Sequence, residues 1–157
     1  GLSGKFTLLD QRDFGVIPEV NDREYYTNSF HIPVYYKLPA ARKISLEAPF
    51  HNLCNAGAIS YIELDGNARN NPEAFLKIVQ YALHQNIGYF SINHPVDRCT
   101  ECGYEGIIGT SCPQCGTDEE HTHFQRLRRV TGYLTGDYTV RFNAAKQAEV
   151  RDRVKHK

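Results

Sequence analysis

Two short cysteine pairs constrain this chain more than any other feature. Cys99-Thr-Glu-Cys102 is followed by Gly103, and Cys112-Pro-Gln-Cys115 is followed by Gly116. A CxxC turn aims two sulfurs at one point, and the following glycine lets backbone N–H groups face them. Nine residues separate the pairs, so both turns can meet at a tetrahedral S4 site of the kind Zn2+ prefers. Four cysteines leave no open position for water, which predicts a structural metal. Disulfides, a redox-active dithiol and an iron–sulfur cluster are the alternatives. His121 and His123 stand close by, but the ligand set is complete without them and both are expected at the surface. The fifth cysteine, Cys54, stands apart and reads as a small apolar core residue.

The cysteines also divide the chain. Residues 96–122 are rich in Gly and turn residues, carry an acidic run at Asp118–Glu120, and hold too few apolar side chains to fold without metal. Residues 1–95 read as mixed α/β. Gly1–Pro18 carries turn residues, and Tyr25–Tyr36, with Pro33 inside it, reads as extended chain or loop. Ala58–Leu64 alternates β-branched and aromatic residues with polar ones and predicts a strand, followed by a turn at Asp65-Gly66-Asn67. Asn71 as cap, Pro72 at the first helical position and Glu73 at the positive end predict a helix over 72–85. Its apolar face is Phe75, Ile78, Val79 and Leu83. Gly88 ends it and 89–92 follows as a strand. Strand, helix and strand in this order predict a parallel βαβ unit belonging to a larger sheet or barrel.

Overall composition, 41% hydrophobic and 23% charged, is that of a globular chain, and no apolar run approaches the length of a membrane span. No secretory signal is visible, so the expected compartment is reducing and cytoplasmic. The chain begins at Gly1 and contains no Met. It is expected to be a processed chain, a tagged chain or a piece of something longer. Its 18 basic and 18 acidic side chains balance, but residues 123–157 hold nine Lys/Arg against three Asp/Glu. Such an end suits a phosphate, a nucleic acid, an acidic protein surface or simply a solvated helix. A helix is expected from about Arg141 to Val154, with Asp137 or Thr139 helping to start it.

Gly132, in Arg128-Arg-Val-Thr-Gly-Tyr-Leu134, is the odd residue of this region. It sits among strand-forming residues with no turn partner, which marks a bulge, a tight bend or a close backbone approach. The same segment, 17 residues after Cys115 and followed by Arg141-Phe-Asn-Ala-Ala-Lys-Gln-Ala-Glu-Val-Arg-Asp-Arg-Val154, resembles the C-terminus of the anaerobic (class III) ribonucleoside-triphosphate reductases, which are glycyl radical enzymes. Asp22–Val34 and Ala48–Gly57 resemble further blocks of the same reductases, in the same order. One departure is Ala58, where the resemblance leads one to expect His. The resemblance runs through nearly the whole chain.

The resemblance implies a fold and a role. The fold is α/β, the last portion of a ten-stranded glycyl-radical-enzyme barrel at 1–95, a four-Cys zinc ribbon at 96–122, and the radical loop with the C-terminal helix at 123–157. Gly132 would store the radical, installed by a separate activase that uses S-adenosylmethionine and an iron–sulfur cluster. Zn2+ would sit on Cys99, Cys102, Cys112 and Cys115. The complete enzyme, expected as a homodimer, would reduce ribonucleoside triphosphates for DNA replication. Its relay cysteine lies far upstream of the glycine, so Cys54 does not fill that role. This chain alone is therefore expected to be incomplete and inactive, needing the rest of the reductase chain. Two other readings compete: a stand-alone glycyl radical carrier, and a zinc-ribbon nucleic-acid binder using the basic end with Tyr133 and Tyr138 as stacking platforms.

Overall fold

The computed structural model describes residues 1–157 apart from Ala56, Asp65 and Thr131. Asp65 of the expected turn and Thr131 of the Arg-Val-Thr-Gly motif thus lie outside the described residues. Strand β1 (Ser60–Glu63), helix α3 (Pro72–His84) and strand β2 (Phe90–Asn93) follow helices α1 (Leu2–Phe14) and α2 (Ala40–His51). Strands β1 and β2 pair in parallel, with Ser60 opposite Phe90 and Glu63 opposite Asn93. The βαβ unit thus forms as expected, and Asn71 Oδ1 accepts from the Ala74 N–H at 3.1 Å to cap α3.

One face of the pair is apolar. Ile62 packs with Ala40, Ile44 and Ala48 of α2 and with Ala82 and Ile87, with Ile78, Tyr81 and Phe90 at the margin. The inward stripe of α3 is thus the buried Ala82 with the partly buried Ile78 and Tyr81. Phe75 and Leu83, expected inside, are 38% and 67% exposed, because a two-stranded sheet is too narrow to cover the whole apolar side of a helix. The opposite face carries Tyr61, Glu63, Ser91 and Asn93, which are next to the C-terminal segment: Arg153 pairs with Glu63 at 3.2 Å and the His156 N–H donates to the Glu63 carbonyl at 2.8 Å.

The second sheet has the order β4-β3-β5-β6, all antiparallel, from β3 (Val96–Cys99), β4 (Glu105–Gly106), β5 (Phe124–Val130) and β6 (Tyr133–Thr135). Helices α4 (Tyr138–Arg141) and α5 (Ala144–Asp152) end the chain.

Three expectations change. The turn-rich start is helix α1, which lies against α5 with Thr7 buried. Residues 40–51 form α2, a helix that the sequence signals did not announce. The single helix expected over 141–154 is two, because Phe142 is extended (φ −88°, ψ 146°) and Asn143 caps α5 by accepting from the Lys146 N–H at 3.1 Å. Tyr25–Tyr36 forms no helix or strand, as expected. No helix among the described residues is long and apolar enough to cross a membrane.

Candidate metal centre and glycine hairpin

The two cysteine knuckles fold as near copies. In the first, the Gly103 N–H donates to the Cys99 carbonyl at 3.0 Å and the Cys99 N–H to the Tyr104 carbonyl at 2.9 Å. In the second, Gly116 N–H meets the Cys112 carbonyl at 2.9 Å and Cys112 N–H the Thr117 carbonyl at 2.7 Å. Each glycine closes its turn in the left-handed region, at φ 75° and 76°, which a side chain would strain.

All four sulfurs come within 4.8 Å of one another. Cys99 Sγ and Cys115 Sγ are 3.8 Å apart, Cys102 Sγ and Cys112 Sγ 3.6 Å. Thiolates about 2.3 Å from one tetrahedral ion would be about 3.8 Å apart, so the spacing fits such a centre. Against the effect of burial, donation from the Cys115 and Gln114 N–H groups and from the neighbouring thiols lowers the Cys112 thiol, while burial and the same crowding of thiols raise Cys102 and Cys115. Phe124 and Ile108 back the buried Cys99 and Cys112. Cys54 stands apart from this cluster and is half-buried. His121 and His123 are on the surface, as expected, and bond instead to Asp118 and Asp137, each at 2.6 Å.

Gly132 lies where β5 turns into β6, next to the closing pair Val130–Tyr133. Of the structural explanations expected for this glycine, the tight bend is present and the close backbone approach is not. Its φ is outside the left-handed region and a Cβ built on it would meet nothing within 4 Å. Gly136 is in equally open surroundings.

Strand β5 links the two sites, because it pairs with cysteine-bearing β3 on one edge and with β6 on the other. Sequence reasoning missed the residue that locks this pairing. Asp97 of β3 is fully buried and accepts from Arg128 Nη1 at 2.6 Å, Arg126 Nη1 at 3.1 Å and the Ile108 N–H at 3.1 Å. Its only signal was an acid at an inward position of a short alternating strand. Arg126 also bonds Glu119 and the carbonyls of Ile108 and Gly109. The basic character of residues 123–157 is thus largely used within the chain: Arg126 and Arg128 on Asp97, Arg153 on Glu63, Lys146 over the Tyr133 ring and Arg129 over the Tyr61 ring.

A family model described as anaerobic ribonucleoside-triphosphate reductase matches residues 1–156. The chain belongs to the anaerobic ribonucleoside-triphosphate reductase family. Relatives of that name are 41% identical in Escherichia coli K12, over 99% of this chain and 22% of the relative, and 36% identical in phage T4, over 97% and 26%. The chain thus spans about a fifth to a quarter of the reductases it matches. Solved anaerobic ribonucleotide reductases share its fold. One covers 98% of this chain at 22% identity with a TM-score of 0.73, and one from Thermotoga maritima covers 85% at 23% identity with a TM-score of 0.61. The fold they share with this chain is mixed α+β, and here its βαβ unit is half-covered and several large apolar side chains are exposed.

Proposed function

We propose that this segment is the metal-binding and radical-storing part of an anaerobic ribonucleoside-triphosphate reductase. Cys99, Cys102, Cys112 and Cys115 hold a structural Zn2+, and Gly132 carries the radical. The observation that carries the second assignment is a glycine that neither backbone conformation nor packing requires, at a hairpin tip, in a chain of this reductase family. Glycine suits this task chemically. Loss of one α-hydrogen leaves a planar carbon onto which the amide nitrogen donates and from which the carbonyl withdraws. A Cβ would crowd that plane and offer other hydrogens to lose.

The radical is installed by a separate activase that uses S-adenosylmethionine and an iron–sulfur cluster. In the complete enzyme, Gly132 then regains a hydrogen atom from a cysteine thiol elsewhere in the chain. The resulting thiyl radical starts reduction of a ribonucleoside triphosphate to its deoxy form. The active form is a homodimer in the cytoplasm, and this segment without the rest of the chain does not turn over substrate. The nucleic-acid-binding reading is disfavoured by Arg126, Arg128 and Arg153, whose charges are neutralised within the fold.

Anaerobic activation followed by electron paramagnetic resonance tests this reading. The expected signal is a doublet from the remaining α-hydrogen of Gly132, collapsed by deuteration there. Brief exposure to air should then cut the backbone at Gly132. Gly132→Ala should abolish both while leaving the metal bound, and Gly136→Ala should keep both. A doublet that survives Gly132→Ala defeats the assignment.

A further inference from the structure

Two cation–aromatic contacts flank Gly132, one on each strand of its hairpin. On β5, the Arg129 guanidinium carbon lies 5.7 Å from the centroid of the Tyr61 ring, which projects from β1 of the other sheet. The side chain of Tyr89, just before β2, and that of Tyr61 both favour the charged guanidinium and raise its pKa further. On β6, the Tyr133 ring next to the glycine has Lys146 Nζ of α5 at 3.8 Å from its centroid. Arg129 is opposite Leu134 in the hairpin register and Tyr133 opposite Val130, so the two grips fall on adjacent rungs at the glycine end.

The remaining contacts of β6 are weak for holding a position. It has three residues, it is an edge strand, and Tyr133 and Leu134 are 61% and 62% exposed. A two-stranded ribbon of that length is marginal without such packing. A fixed position is what a radical carrier needs, because hydrogen-atom transfer requires the donor and acceptor atoms close together in one geometry.

We propose that Arg129 and Lys146 are positioning residues for Gly132, holding the hairpin to β1 and to α5 by a cation over a ring on each strand. This rests on the reading of Gly132 as the radical site. A planar guanidinium is suited to the β5 position because it can lie against the Tyr61 ring and still present its N–H groups to neighbouring polar atoms.

The test compares wild type with Arg129→Gln, Arg129→Lys, Tyr61→Leu and Lys146→Gln in the complete zinc-loaded reductase chain, kept anaerobic. Hydrogen exchange of residues 124–135 reports the hairpin, and the glycyl doublet per bound zinc reports radical storage. Arg129→Gln and Lys146→Gln should each speed hairpin exchange about two- to fivefold and lower the doublet, with zinc content unchanged. Arg129→Lys should restore part of both. The double variant Arg129→Gln/Tyr61→Leu should add little to either single change. Faster exchange with an undiminished doublet makes the contacts merely structural and overturns the proposal. A lost doublet with unchanged exchange also overturns it, since the arginine is then read by the activase and does not hold the hairpin. No doublet in wild type defeats the assignment of Gly132 and this proposal with it. A wild-type doublet with unaltered variants defeats this proposal alone.

Discussion

Replacing Asp97 should loosen the metal ribbon and the glycine hairpin together. Its carboxylate is fully shielded from solvent, while the side chains of Arg126 and Arg128 are 12% and 17% exposed. Asp97→Ala leaves both guanidiniums without their shared anion. Arg126 keeps Glu119 and two carbonyls, whereas Arg128 keeps, among the described residues, the Leu127 carbonyl and the face of the Tyr138 ring. Removing one partner of a buried ion pair costs about 3–5 kcal/mol. That is a large share of the roughly 5–15 kcal/mol that holds an ordinary domain together. Asp97→Asn preserves the shape and one acceptor but sets an NH2 against donors, and should cost about 2–3 kcal/mol. Because Asp97 accepts from β5 and from Ile108, the loss falls on β3–β5 pairing and on the loop between the knuckles. Denaturant unfolding gives the stability change, and transfer of the metal to a chromophoric chelator gives its release rate, expected to rise at least tenfold. Hydrogen exchange should quicken in residues 105–109 and 124–130 and stay unchanged in α3. A stability change under about 1 kcal/mol in Asp97→Ala, with metal release at the wild-type rate, would refute the idea that this carboxylate joins ribbon to hairpin.

Two further outcomes rest on the same geometry. Elemental analysis should give one Zn2+ per chain; Cys102→Ser should lose it and unfold residues 96–122, while Cys54→Ser keeps it, and equal loss in both variants contradicts the assigned ligand set. Burial, with Lys43 alongside, pushes the His156 imidazole down to about 4, and its Nδ1 accepts the Glu63 N–H at 2.9 Å, so the ring is neutral in the fold. With an unfolded value near 6.5, its contribution is complete above about pH 6.5 and is lost as pH falls toward 4, by up to about 3 kcal/mol. The slope of unfolding free energy between pH 6.5 and 4.5 should therefore be shallower in His156→Asn, and equal slopes would exclude a depressed imidazole.

The parts of this molecule legible in the sequence are those whose signals are local. Asn71-Pro72-Glu73 specifies a helix start without help from the rest of the chain. The CxxC-Gly repeats specify their own turns, down to the left-handed glycines. The C-terminal split was also written locally. Asn143 followed by Ala-Ala is a good cap and a poor helix interior, and the long run of helix formers around it hid the break. Helix α1 was not legible, because Gly4 and Thr7 weaken its pattern and it owes its place to packing on α5. Lys43 and Glu47 stand four residues apart, a spacing common on solvated helix faces. Instead both are buried at 2.6 Å from each other, and Glu47 also accepts from Ser60 and the Ile32 N–H and is kept ionised. No local pattern distinguishes an exposed pair of this spacing from one that a neighbouring strand covers. Asp97 and Arg129 were hidden for the same reason, since their partners are on other strands.

Why the cysteines and the glycine share one sheet can be argued from size. The ribbon's own apolar cluster is Cys99, Ile108, Cys112 and Phe124, and two of those four are proposed metal ligands. Without the ion, the inward ends of β3 and of the loop before β5 have little to hold them. Phe124, the first residue of β5, packs in that cluster, and Val130, its last, is buried beside the turn that carries Gly132. A metal on these sulfurs would therefore fix one end of a seven-residue strand whose other end presents the glycine. A strand rises about 3.3 Å per residue, so the sulfurs are too far from Gly132 to touch its chemistry. An ion on the four sulfurs would influence a radical on Gly132 only through the position of β5. Loss of metal should accordingly lower how often Gly132 is correctly placed, while a radical once formed in a seated hairpin keeps the same hydrogen splitting.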